Sequence, residues 1–91
     1  MAVHLSGTDE AQLLMAAEYL AKFIRQVSGH YQAAVIGPAD ETIAKINDVY
    51  RKAVYVKHET TRKLIAVKNI VEQYIEMNEG FREIRIQFEM N

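Results

Sequence analysis

Ninety-one residues make one domain and leave no room for a second core. With 49% hydrophobic and 25% charged residues, one Pro and four Gly, the chain has the make-up of a folded globular domain, which excludes a disordered or collagen-like segment. The net charge is −1, and the absence of cysteine excludes a disulfide scaffold, a thiolate metal site and a catalytic thiol.

Taken in chain order, Ala2-Val3-His4-Leu5-Ser6 alternates, with Val3 and Leu5 on one side and His4 on the other, and predicts a first strand interrupted by Gly7. Thr8 is placed to cap a helix whose first turn holds Asp9 and Glu10. Leu13, Leu14, Ala17, Leu20, Ala21 and Ile24 recur at helical spacing, and Ser28-Gly29 offers the small residue that commonly ends a helix. Gln32 to Ile36 predicts a second strand, stopped by Gly37-Pro38 because proline has no amide to donate to a ladder. Ala39 to Asp48 is expected to be a loop with one turn, since Asp40-Glu41 suggests a helix start that Asn47-Asp48 then breaks.

Val49 to His58 is β-branched and aromatic and predicts the longest internal strand. From Glu59 the helical period returns: Leu64, Val67, Val71, Tyr74 and Ile75 share a face, Thr60 or Thr61 caps the start, and Asn78-Glu79-Gly80 closes it. The final segment alternates most cleanly, with Ile84, Ile86, Phe88 and Met90 opposite Glu83, Arg85, Gln87 and Glu89, as a half-buried strand requires. The order βαββαβ predicts an α+β, ferredoxin-like split βαβ fold: four mainly antiparallel strands in the order 4-1-3-2, both helices on one face, and one domain over 1–91.

Catalytic chemistry finds no support. The four glycines are far apart and no phosphate loop follows any of them; Ser6 and Ser28 sit beside glycines at element ends. His4, His30 and His58 have no metal-ligand spacing and read as surface or strand-end residues, while Asp9-Glu10 and Asp40-Glu41 read as caps and solvated charge. The expectation is a non-enzymatic domain with no cofactor or metal of its own. No apolar run reaches the roughly 18 residues that span a bilayer, and Met1 to Gly7 lacks the basic and apolar regions of a signal peptide, so a cytoplasmic setting without a membrane partner is expected.

Charge is unevenly placed. Lys45 to Lys68 holds seven basic residues against two acidic, a net +5, while the rest holds four basic and ten acidic, a net −6. If Val54 and Val56 face the helices, Arg51, Ala53, Tyr55 and Lys57 face the open side of the sheet with Arg85 and Gln87. Such a platform suits a nucleic-acid backbone, with Lys and Arg on phosphates and Tyr55 stacking a base. The plainer reading is a solvated face whose cations pair with Glu83 and Glu89.

Leu5-Ser6-Gly7-Thr8-Asp9-Glu10 leading into Ala16-Ala17 and Leu20, Val35-Ile36-Gly37-Pro38-Ala39, Ile43, Lys45, and Tyr50-Arg51 at the start of a strand together resemble the C-terminal domain of the bacterial primosomal replication-restart helicases, the PriA or primosomal protein N′ family. Arg85 to Asn91 resembles the family's last strand, although the chain stops at Asn91 without the proline that usually follows. The family's helicase motifs and cysteine-rich zinc region are absent, so the resemblance implies the C-terminal portion of a larger ATP-dependent 3′–5′ helicase that uses Mg and structural zinc elsewhere in its chain. It further implies a role in restarting stalled forks and DNA binding by this domain, with Lys45, Tyr50 and Arg51 carried over from the motif. Lys52, Tyr55 and Lys57, and Arg62 and Lys63 at the helix start, join them as DNA-binding candidates from charge, parity and the helix dipole. The expected partners are forked or single-stranded DNA, the helicase lobes of the same chain, and the single-stranded DNA-binding protein with other primosome proteins. The alternative is a docking module that holds those lobes or the binding protein's acidic tail without touching DNA.

Overall fold

In the computed structural model, which describes residues 1–90 and only the backbone at 42–44, the alternating segments fold as β1 (Ala2–Gly7), β2 (Ala34–Ile46), β3 (Val49–Lys57) and β4 (Arg85–Glu89), and the helical ones as α1 (Glu10–His30) and α2 (Thr61–Met77). The Ile43 side chain and Asn91, both quoted for the resemblance, lie outside the described residues. The strands form one sheet in the order β2-β3-β1-β4, every neighbour antiparallel, as the ferredoxin-like reading expects. Among the described residues no helix is long and apolar enough to cross a membrane.

Side-chain parity decides which face is core. Val3 and Leu5 of β1 lie opposite Val54 and Lys52 of β3 and Phe88 and Ile86 of β4. Val3, Leu5, Val54 and Val56 are fully buried beneath the helices. From α1, Leu13, Ala17, Leu20, Ala21 and Ile24 meet them at the i, i+3, i+4, i+7 spacing of one helix face, and Leu64, Val67 and Val71 do the same from α2. Each such leucine or isoleucine contributes about 1.5–3 kcal/mol of burial. Ala16, Ala17 and Ala21 keep that face of α1 flat, which lets the helix lie close to the sheet.

Both ends of α1 differ from expectation. Asp9, not Thr8, is the N-cap: its Oδ1 accepts from the Gln12 amide at 3.1 Å, and a charged acceptor there also meets the positive end of the helix dipole. The helix does not stop at Ser28-Gly29. It runs on to His30, and Gln32 takes the left-handed position with φ 58°, the Ala33 amide bonding back to the Ser28 carbonyl and the Gln32 amide to Gly29. At α2, Thr60 occupies the cap position without a side-chain bond.

The larger correction concerns Ala39 to Asp48, expected as a loop. Here β2 continues past Gly37-Pro38 instead of stopping, with register shifts against β3 between Ile36 and Ala39 and again between Asp40 and Lys45. As an edge strand, β2 accommodates a residue without an amide through these irregularities, so the proline bends the strand rather than ending it. Asn47 and Asp48, with φ 51° and 62°, form the two-residue connection of a β2–β3 hairpin, because successive positive φ values match the strand twist.

Candidate nucleic-acid interface

The eight candidate residues fall into three places. Lys45 and Tyr50 are direct partners near the β2–β3 turn and, with Lys52, point to the helix side of the sheet, since they share parity with Val54 and Val56. The Lys45 Nζ lies 5.1 Å from the centre of the Tyr50 ring and 3.5 Å from Asp48 Oδ1. Tyr50 is half-buried against the core. Lys52 is 17% exposed, with its Nζ 2.7 Å from Asp40 Oδ1. Arg51, Tyr55 and Lys57 do face the open side, opposite Ser6, Ala2 and Ala34, as parity predicts. Arg62 and Lys63 lie apart from that face, exposed in the first turn of α2.

At the centre of the open face a polar chain crosses all four strands. Arg51 of β3 donates to Glu41 Oε2 of β2 at 2.7 Å; His4 of β1 donates through Nδ1 to Glu41 Oε1 and through Nε2 to Glu89 Oε1 of β4 at 3.1 Å. Both ring nitrogens face carboxylates, an arrangement that favours the protonated ring. Arg51 and, when protonated, His4 are thus offset by two carboxylates, while Arg85, exposed on the same face in register with Ser6 and Arg51, makes no ion pair among the described residues. The partner of Arg51 is Glu41, not Glu83 or Glu89; Glu83 instead accepts from the Gln12 side chain at 3.3 Å.

Sequence reasoning misses this chain because Glu41 reads as a turn residue until β2 is seen to extend through it, and His4 has no partner nearby in sequence. The hidden signal is the shared parity of His4 on β1 with Gln87 and Glu89 on the neighbouring β4. No metal-holding group of three His, Asp or Glu occurs among the described residues: the His4 nitrogens point to opposite sides, so Glu41 and Glu89 do not converge with one of them.

The hydrogen bond to Glu41 raises the His4 pKa above its ordinary value near 6.5; partial burial opposes this, and Glu89 adds to the rise. The groups facing His4 are Glu41 from β2, Ala53 and the nearby Arg51 from β3, and Gln87 and Glu89 from β4. A raised folded-state pKa means that the contribution is fully present below pH about 6.5 and is lost as pH rises through the folded value. His4→Gln is therefore expected to lower the melting temperature most near pH 5.5 and progressively less towards pH 9, as read by thermal melts across about that range. A constant offset over the whole range would show that the bridge is not ionic.

The β3–α2 junction has a different character. Lys57, Arg62 and Lys63 are exposed, and none has a carboxylate partner among the described residues. The first turn of α2 contains no acidic residue, and the His58 Nδ1 accepts from the Thr60 amide at 2.8 Å. A shallow hollow of about 490 Å³ lined by Gln32, Ala34, Lys57, His58 and Glu59 opens here. Tyr55 and Ile36, 37% and 49% exposed, lie two residues from Lys57 and Ala34 on the same open face. No family model matches the chain, and no curated protein matches it.

Proposed function

We propose that the domain binds DNA through the β3–α2 junction, with Lys57, Arg62 and Lys63 on phosphates and Tyr55 against an exposed base. The observation that carries this reading is that three cations within seven residues of sequence are exposed and make no ion pair among the described residues, two of them in the first turn of a helix with no acidic residue to balance them. Cations there oppose the helix dipole, a local cost with no structural return. A phosphate supplies the missing negative charge. Lys45, Arg51 and Lys52 are already engaged by Asp48, Glu41 and Asp40, so they position the sheet and contribute less to phosphate binding.

Joined to the resemblance described above, this makes the domain a DNA-contacting portion of a cytoplasmic replication-restart helicase, reading branched or single-stranded DNA, while unwinding and ATP use reside in other parts of such a protein. The test is fluorescence anisotropy of the 91-residue chain with a labelled fork, a single strand and a linear duplex over salt from about 50 to 200 mM. Preference for fork or single strand over duplex, with affinity falling as salt rises, is expected. Absence of binding to all three at the lowest salt would remove the proposal.

A further inference from the structure

Between the first half of α1, the C-terminal end of α2 and the turn that follows it lies a groove of about 530 Å³. Its floor is aromatic: Tyr74 and Phe81 line it and meet at 5.7 Å, and Tyr74 is backed by Phe23, stacked with centroids 3.8 Å apart and planes 8° from parallel. Ala16 and Gly80 leave room above that floor, while Met15 and Tyr19 stand along the wall at 60% and 61% exposure, the apolar parts of α1 that the sheet does not cover. A second depression beside Met15, Glu18, Tyr19 and Lys22 continues the groove along α1. Together they follow α1 from Asp9 to Lys22, roughly 20 Å at the helical rise, a length suited to a peptide of several turns rather than a compact small molecule.

The rim has one dominant sign. Asp9 lines the groove, Glu79 sits between two lining residues, Glu83 is held to the lining Gln12 at 3.3 Å, and Glu18 borders the continuation. Against these four carboxylates stand Lys22 and Arg82, and Arg82 already leans on Glu79 at 3.9 Å. We infer that the groove between α1 and α2 is a docking site for a basic amphipathic helix of another protein, whose apolar stripe covers Met15, Tyr19 and Tyr74 while its Lys and Arg flanks meet the acidic rim. The geometry is that of a helix laid in an apolar groove, with the charges setting partner choice. This site is remote in sequence from the β3–α2 junction and stands or falls separately from DNA binding.

The experiment titrates the isotope-labelled 91-residue chain with two synthetic helical peptides of about 16 residues, one with a leucine stripe flanked by lysines and one with the same stripe flanked by glutamates, and follows amide shifts by NMR. The lysine peptide is expected to bind at least about ten-fold more tightly, with shifts centred on Met15, Tyr19 and Gly80. Tyr19→Lys, at an exposed position that the core does not need, should remove that binding, and Glu18→Lys with Glu83→Lys should erase the preference between peptides. Equal affinity for the two peptides, no binding of either, shifts centred on another surface, or filling of the groove by a second copy of the chain would each overturn the inference.

Discussion

Replacing Lys57, Arg62 and Lys63 together with glutamine is expected to weaken binding to forked DNA about 100-fold at low salt and to reduce the log–log salt slope by about 2 to 3, one unit for each phosphate no longer neutralised. The three side chains make no ion pair among the described residues, so nothing in the fold is undone by removing their charge. Two of them stand at the positive end of α2, and neutralising them should leave the melting temperature unchanged or slightly raised. That combination, reduced affinity with intact or improved stability, separates a binding role from a structural one.

Arg51→Gln supplies the contrast. Removing it leaves the carboxylate of Glu41, 10% exposed, with His4 as its one partner among the described residues, so it should cost stability more than affinity. If Arg51→Gln weakened binding as much as the triple variant while melting like the parent, the open face rather than the junction would be the DNA surface.

Much of this fold is legible in the chain because the signals are local. Ile84, Ile86, Phe88 and Met90 alternate with charge, and the strand pairs as parity demands; Leu64, Val67 and Val71 keep helical spacing, and α2 buries those residues. Tyr55 and Lys57 also land on the predicted face, since parity needs only one correctly placed core residue, Val54 or Val56. What escapes depends on pairing. Gly37-Pro38 has the appearance of a stop, and only an edge position next to β3 turns it into an irregularity that the strand survives. Once β2 is cut short there, Asn47-Asp48 looks like a breaker within a loop, though it is a hairpin turn between two paired strands. Glu41 is then missing from the sheet, and with it the link to His4, 37 residues away. The same error affects the site: Lys52 reads as a free cation until Asp40 is recognised as its cross-strand partner.

Gly37 is where that irregular strand is most exposed to a single substitution. Its φ is +112°, a conformation that side chains other than glycine rarely adopt, and a Cβ there would lie 2.8 Å from the Ala53 carbonyl oxygen and 3.3 Å from both the Ala39 nitrogen and the Val54 Cα. All three neighbours are backbone, two of them in the central strand β3, so none can move aside without shifting the sheet. The Gly37 carbonyl also accepts from Arg25 of α1, which ties the irregular stretch to the helix layer. Gly37→Ala is therefore expected to cost about 2–4 kcal/mol and to lower the melting temperature by roughly 10–25 °C. Gly29→Ala makes the matched control: it lies in the last turn of α1 with nothing within 4 Å of a new Cβ, and alanine there should stabilise by up to about 1 kcal/mol. Because Glu41 follows four residues after Gly37, displacement of β2 should also loosen its hold on His4 and flatten the pH dependence of stability. Thermal melts of the parent and both variants near pH 5.5 and near pH 9 read all three effects at once. A Gly37→Ala protein that melts with the parent would mean that β2 passes Ala53 along a different path, and the link between Glu41 and His4 would then have to be built another way.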